Sequence, residues 1–162
     1  MAQAKGFSLI ELLIVVTVIL VLAAIAIPNL LRSRMAANEA SAVGSLHAVN
    51  NAEITYSSTY PNLGFACALS QLGPPTGGAP VGSAAASLID ANLASGSKSG
   101  YNFAPGTCTM AGTSTIVTGY QWEADPVTAG STGQRHFCTD STIVIKSDPS
   151  SSSTCLVSGT PI

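Results

Sequence analysis

The chain has 162 residues and a mass of 16.3 kDa, which suits one domain or one domain with an appendage. Charged residues make up 9% of it, against about 25% in an ordinary soluble domain, and the formal net charge is −2. The acidic balance argues against a nucleic-acid binder that neutralises phosphates with a basic patch, and the apolar fraction of 46% argues against a largely disordered chain.

The chain begins with a short polar stretch and becomes apolar over residues 7–27, where Glu11 is the only charged residue. A helix over this stretch is about 31 Å long, enough to cross the hydrocarbon core of a membrane. Lys5, ahead of the stretch, favours a cytoplasmic N-terminus. Arg32 and Arg34, beyond it, weaken that orientation.

Three interpretations of this segment compete. A cleaved secretory signal peptide would use residues 24–26, Ala-Ile-Ala, as its cleavage site, although Pro28 follows directly. An ordinary uncleaved anchor gives no reason for Glu11, because a carboxylate in hydrocarbon is costly and indicates a functional partner. The third interpretation is a specialised segment in which Glu11 has a task.

The third interpretation is favoured by residues 5–11, Lys-Gly-Phe-Ser-Leu-Ile-Glu. They resemble the processing site of type IV prepilins and type II secretion pseudopilins. In that family a membrane peptidase cuts after the Gly and methylates the new N-terminal Phe. The resemblance therefore implies cleavage between Gly6 and Phe7, N-methylation of Phe7, and a role for Glu11 in assembly. Pro28 falls where the family has its helix-softening proline.

The role of Glu11 also has a physical reason. Cleavage after Gly6 would leave a positive amine on Phe7, about one helical turn from the Glu11 carboxylate. Two charges in hydrocarbon are tolerable only as a pair. A pair between the amine of one subunit and Glu11 of its neighbour would set the register of an assembly, whereas a pair within one chain would only compensate charge.

The helical pattern continues past Pro28 to about residue 58. Pro28 removes a backbone donor, so we expect a kink there. The second half is amphipathic, with Glu39 placed off its apolar stripe. We expect that stripe at these positions: Leu31, Met35, Val43, Leu46, Val49 and Ile54. Together with the resemblance, this pattern implies a leader (1–6), a transmembrane and filament-core helix (7–28), an amphipathic half-helix (29–60) and a head (61–162).

The head reads as a loop followed by strands. Residues 73–83 have loop composition, and a short helix is predicted over residues 83–93. The remaining predictions are strands over 100–104 and 114–123, a hairpin of 135–139 with 142–146, and a loop over 147–153. Short links between strands predict an antiparallel meander packed on the amphipathic half-helix. The fold class is α+β, the pilin fold in terms of the resemblance.

Four cysteines, all in the head, allow three pairings. None forms a CxxC pair, which argues against redox and zinc-ribbon sites. A head delivered outside the cytoplasm favours disulfides. We favour Cys67–Cys108, between the loop after the helix and the first strands, and Cys138–Cys155, between a strand and the C-terminal tail.

The head offers no catalytic pattern: it has no nucleophile elbow, P-loop or dinucleotide fingerprint. We therefore expect no enzyme, no cofactor and no metal. His47 has no partner at metal-ligand spacing, and His136 is expected to be an exposed strand residue. The region of Asp140 and Asp148 lacks the dense oxygen ligands that calcium prefers.

The resemblance implies a structural subunit that forms a homopolymer, a type IV pilus or similar extracellular filament. Before assembly it would be a single-pass inner-membrane protein with a cytoplasmic N-terminus. Its partners would be the prepilin peptidase and the inner-membrane assembly machinery, with no direct nucleic-acid partner. The alternative is a major pseudopilin of a type II secretion system, which forms a periplasmic pseudopilus. A less favoured alternative is a membrane-anchored binding module that never polymerises.

Overall fold

The computed structural model describes residues 8–150 and 152–162, which fall into two compact units divided between Arg34 and Met35. Helix α1, Leu9–Thr59, contributes to both units and continues through Pro28. The prediction of a single long helix from about residue 8 to residue 58 is therefore confirmed, and so is the α+β class.

In the first unit, the large apolar side chains of α1 lie on all sides of the helix and are 46–81% exposed. The large ones are Leu9, Ile10, Leu12, Leu13, Ile14, Val15, Val16, Val18, Ile19, Leu20, Val21, Leu22, Ile25, Ile27, Leu30 and Leu31. The helix includes an 18-residue window of mean hydropathy 3.1, of which 0% is buried. By length and composition, this helix could cross a membrane.

In the second unit, α1 buries a stripe at spacings of three and four residues. The buried apolar members are Ala42, Leu46, Val49, Ala52 and Tyr56. The predicted stripe is wrong at Leu31 and Ile54, which are 52% and 45% exposed, and Glu39, which was placed off the stripe, is buried. At about 100° per residue, Ile54 lies off the line through Leu46 and Val49, and Glu39 lies on it.

The sheet of the second unit is antiparallel throughout, in the order β1-β2-β5-β6-β7-β8. Its strands are β1 Ser97–Lys98, β2 Tyr101–Pro105, β5 Gln121–Pro126, β6 His136–Asp140, β7 Lys146–Asp148 and β8 Thr160–Pro161. A separate two-stranded ladder joins β3 Thr109–Met110 to β4 Val117–Gly119. The antiparallel arrangement was predicted, but the insertion of this ladder between neighbouring strands of the main sheet was not.

Two strand predictions need correction. One strand over residues 114–123 is wrong, because the chain leaves the small ladder at Gly119 and joins the main sheet at Gln121, with Tyr120 buried between them. The tight hairpin of 135–139 with 142–146 is also wrong, because β7 begins only at Lys146. The side chain of Asp140 accepts the backbone N–H of Thr142 at 2.8 Å, which holds the intervening residues as a turn.

The helix predictions in the head also need correction. The helix over residues 83–93 is wrong: only α3, Ala91–Ala94, forms, with the Asp90 side chain as its N-cap. The residues before α3 are not helical. Ala86 N–H donates to Gln71 O, and Ser87 has a φ of 55°, which a right-handed helix does not allow. Gln71 belongs to α2, Leu69–Leu72, which was not predicted.

The loop predicted over residues 147–153 is wrong as well. Its first two residues belong to β7, and α4, Ser152–Ser158, begins near its end. The Asp148 carboxylate accepts the hydroxyl groups of Thr154 and Ser158 at 3.1 and 2.8 Å, so a buried acid on the strand holds α4 in place.

Candidate functional site

The first unit presents Glu11 as an exposed carboxylate among exposed apolar side chains. Its Oε2 accepts the backbone N–H of Ser8 at 3.0 Å, which satisfies one of the free N–H groups at the start of α1. Gly6 and Phe7 lie outside the described residues. Their cleavage and methylation stay predictions, as does the pairing of Glu11 with the Phe7 amine.

The surface around Glu11 could accommodate another helix. Leu9, Leu12, Leu13, Val16 and Thr17 recur at three- and four-residue spacings and line a shallow apolar depression. The Thr17 hydroxyl donates to Leu13 O at 2.7 Å, so this polar side chain is satisfied within its own helix. The result is a continuous apolar surface on which the carboxylate is the only charge.

Pro28 lies near the end of this surface. It cannot donate to Ala24 O, the carbonyl one turn before it. The next residue, Asn29, donates its side-chain Nδ2 to Ile25 O at 3.2 Å. Although α1 continues through this region, its hydrogen bonds here differ from those of a regular helix, and a kink at Pro28 stays a prediction.

The second unit holds a clamp built around Glu39. The Glu39 Oε1 accepts the backbone N–H groups of Gln134 and Arg135 at 2.9 and 3.3 Å, and Oε2 pairs with the Arg135 Nη2 at 2.8 Å. Burial alone would raise the pKa of Glu39, but these hydrogen bonds and the Arg135 charge hold it below its ordinary value. No local sequence pattern indicated a role for Glu39, because its partners lie about a hundred residues away.

Close packing next to the residues that bind Glu39 explains why residue 133 is a glycine. A Cβ on Gly133 would collide with the ring and hydroxyl of Tyr101. The Tyr101 hydroxyl donates to Arg135 O at 2.8 Å, and the ring is fully buried. Gly133 is therefore needed for the close approach of the buried Tyr101 ring.

Glu53 is a carboxyl group in the core of the head. It is fully buried; its Oε2 accepts Ala66 N–H and its Oε1 accepts Trp122 Nε1–H, both at 2.8 Å. Both donors are uncharged, so burial outweighs them and raises the pKa of Glu53 to about 7. Burial, and then the Glu53 charge, raise the pKa of the nearby Tyr120 to about 12. Glu53 thus connects α1 both to the loop that follows it and to β5.

Asn50 forms a second buried polar network, one turn before Glu53. Its Oδ1 accepts the Tyr120 hydroxyl at 3.1 Å, and its Nδ2 donates to Thr139 Oγ1 at 2.9 Å. Thr139 in turn donates to Val144 O at 3.2 Å. The network fixes α1 to the sheet and holds the turn before β7. Sequence reasoning missed it because only apolar positions were counted on the stripe.

Both disulfides join the cysteines that the sequence analysis favours. Cys67 and Cys108 have Cα atoms 6.1 Å apart, and Cys138 and Cys155 have Cα atoms 6.0 Å apart. The first links the loop after α1 to the segment between β2 and β3. The second links β6 to α4 and is fully buried. The C-terminal region is therefore covalently fixed to the sheet.

The expectation for His136 needs correction. Its side chain is only 19% exposed, and its Nδ1 lies 2.6 Å from Asp125 Oδ1. His47 is exposed. Asp148 is buried and bonds to Ser150 N–H as well as to α4. Within the part of the chain that the structure describes, no three His, Cys, Asp or Glu side chains form a group that could hold a metal.

An apolar helix that carries a single carboxylate and continues into an α+β head with two disulfides is consistent with the α+β pilin fold. Comparison with known proteins agrees. A protein-family model described as "Prokaryotic N-terminal methylation motif" matches residues 1–27 of the chain. The chain is 62% identical over 39 residues to the "Type IV wide pilus major component PilA4" of Thermus thermophilus. The match covers 24% of this chain and 30% of that relative, and no solved structure matches.

The motif and the relative together support the type IV pilin family for this chain. It is a family of structural subunits, not of enzymes. The chain spans less than a third of the length of the curated relative that it matches. The likeness therefore supports a pilin-like subunit, and the kind of assembly is a separate question.

Proposed function

We propose that this chain is a structural subunit that polymerises through the first half of α1 into a type IV pilus or a similar extracellular filament. The observation that carries the proposal is the exposed apolar surface over residues 9–31, which surrounds the helix. Burying one large apolar side chain contributes about 1.5–3 kcal/mol, so such a surface requires either lipid or neighbouring helices. A subunit that moves from membrane to filament meets that requirement at both stages.

Processing would prepare the subunit for assembly. A prepilin peptidase would cut between Gly6 and Phe7 and methylate the Phe7 amine, while the chain is anchored in the inner membrane with its N-terminus in the cytoplasm. The assembly machinery would then extract the chain into a helical polymer. The Phe7 amine of one subunit would pair with Glu11 of its neighbour, since a lone charge in an apolar filament core is costly.

The pseudopilus of a type II secretion system shares all these N-terminal features. The disulfides Cys67–Cys108 and Cys138–Cys155 fit either assembly, because disulfides form in the periplasm as well as outside the cell. Electron microscopy of sheared surface material, with antibodies against the head, tests this choice. Labelled filaments outside the cell support the pilus, and label confined to the periplasm supports the pseudopilus.

The Glu11→Ala and Glu11→Gln variants test the assembly mechanism. Glu11→Ala should accumulate as membrane-bound subunit, because the neighbour's amine then loses a partner worth about 3–5 kcal/mol. Glu11→Gln should be milder, since an amide oxygen still accepts a hydrogen bond. The measurement is an immunoblot of sheared filament against membrane fraction. Glu123→Gln, which removes one acid from the head, is the matched control; wild-type filament yield from Glu11→Ala would refute the mechanism.

A further inference from the structure

Two arginines mark the end of the exposed apolar surface of α1. Residues 9–31 carry Glu11 as their only charge, and Arg32 and Arg34 follow directly. Both arginines are exposed, and within the described residues neither takes part in an ion pair. Their charges therefore require a partner outside the described chain or bulk water.

The two side chains leave the helix in nearly opposite directions. Residues two apart on an α-helix are separated by about 200° around its axis. A single protein neighbour along one side of α1 can contact Arg32 or Arg34 but not both, so a protein partner for both requires neighbours on two sides, as in a polymer. A layer that surrounds the helix contacts both, and the surface of a bilayer is such a layer.

The position of the arginines along the helix fits a bilayer surface. Residues 9–31 span about 33 Å as a helix, against a hydrocarbon core of about 30 Å. Arginine side chains can keep their apolar stems near hydrocarbon and extend their guanidinium groups to the headgroups. The planar guanidinium binds a phosphate group through two parallel hydrogen bonds.

The net negative charge of the rest of the chain makes Arg32 and Arg34 the main source of attraction to anionic lipid. Residues 35–162 contain three Lys or Arg and seven Asp or Glu. A head with this excess of acid is repelled by an anionic lipid surface. Attraction to anionic lipid on that side of the bilayer must therefore come from Arg32 and Arg34.

We propose that Arg32 and Arg34 bind the phosphate groups of anionic phospholipids at the membrane surface on the side of the head. The contact opposes withdrawal of the apolar segment and so retains the unassembled subunit in the bilayer. It also explains two positive charges at the end of the span where the usual distribution of basic residues disfavours them. The inference rests on the proposed function, because it requires the subunit to reside in a membrane.

The test uses the purified full chain in vesicles of phosphatidylcholine that contain a minor fraction of phosphatidylglycerol. Spin-labelled phosphatidylglycerol and spin-labelled phosphatidylcholine report, by electron paramagnetic resonance, which lipid is immobilised at the protein. The wild type should prefer phosphatidylglycerol, and added salt should weaken that preference. Arg32→Gln and Arg34→Gln should each lower it by up to about fivefold, and the double variant should lose it.

Two variants serve as controls. Lys98→Gln removes one positive charge from the head and should leave the lipid preference unchanged. The double change to lysine, Arg32→Lys with Arg34→Lys, keeps both charges and should retain part of the preference, since lysine binds phosphate as a point charge. A wild type without lipid preference, or a double Gln variant that keeps it, would overturn the proposal.

Two further measurements separate this inference from the proposed function. One outcome is that the double Gln variant keeps its lipid preference while the yield of sheared filament falls. In that case the arginines contact acidic groups of neighbouring subunits, and the lipid proposal is wrong. If the wild type prefers phosphatidylglycerol but yields no filament or pseudopilus in cells, the lipid contact stands and the proposed function fails. Release of the wild type from vesicles by alkaline carbonate would refute both.

Discussion

Glu53 should make the stability of the head depend on pH in a range where most carboxyl groups have no effect. The side chain is fully buried and has a pKa of about 7, against 4.5 for an ordinary glutamate. Between these values the folded chain holds a proton that the unfolded chain has lost. The free energy of unfolding therefore falls as the pH rises through this window.

The size of the effect follows from the displacement of the pKa. A displacement of roughly 2.5 pH units, at about 1.4 kcal/mol per unit, amounts to about 3 kcal/mol. This stabilisation is fully present below about pH 4.5, decreases as the pH rises, and is lost once the pH passes the folded pKa of about 7. Above that value the charged group stays buried and the stability contribution of Glu53 no longer changes.

The perturbation is Glu53→Gln, which cannot ionise. Glutamine has one acceptor oxygen, so either Ala66 N–H or Trp122 Nε1–H loses its partner, at a cost of about 1–3 kcal/mol at every pH. All other titrating groups are shared by the two chains. The difference in unfolding free energy between wild type and variant should therefore be about 3 kcal/mol larger near pH 4.5 than near pH 8.

Trp122 is the only tryptophan of the chain and donates directly to Glu53, so its fluorescence is a suitable signal. Denaturant unfolding of the full chain in mild detergent, at several pH values, gives the free energies. Glu123→Gln removes a half-buried glutamate next to Trp122 and is the matched control. A difference between wild type and Glu53→Gln that stays constant within about 1 kcal/mol across this range would refute the reasoning.

Four other predictions can be tested on the same protein. Intact-mass analysis should find a mature chain that begins at N-methylated Phe7, and any other start would contradict the processing scheme. Peptide mapping without reductant should recover Cys138 joined to Cys155, and replacing both with serine should cost about 2–4 kcal/mol in denaturant unfolding; recovery of other linkages would contradict the pairing. Glu39→Gln should cost about 1–3 kcal/mol near neutral pH, and because the pKa of Glu39 is lowered, this cost should shrink below about pH 4.5. Gly133→Ala should cost about 1–3 kcal/mol, since its Cβ meets a buried ring, and an unchanged melting temperature would contradict the close packing.

The sequence by itself determined the features that depend on neighbours along the chain. The apolar segment with Glu11, the single long helix and the motif before it are all local patterns, and the family model matches the same region. The α+β class also followed, because the helix period of 3.6 residues changes to an alternating pattern after the loop. The cysteine pairs were favoured by chain order, since each joins a loop or tail to a nearby strand.

Only the tertiary structure decided which polar groups are buried. Glu39, Asn50 and Glu53 look like solvent-facing residues of an amphipathic helix, yet each lies on its buried side. Their burial is possible because Arg135, Tyr120 and Trp122 supply hydrogen-bond donors. Such partners lie about seventy to a hundred residues away, so no local pattern contains them.

The strand boundaries were decided in the same way. The segment 114–123, with its β-branched and aromatic residues, looks like one strand, but its two ends pair with different partners, β4 with β3 and β5 with β2 and β6. Residues 147–153 have the composition of a polar loop. Helix α4 nevertheless begins within this stretch, because Asp148 accepts hydrogen bonds from its hydroxyl groups and Cys138 forms a disulfide with it. A strand or helix that depends on such distant partners is decided by packing and hydrogen bonding across the fold, because its own residues do not favour one conformation strongly enough.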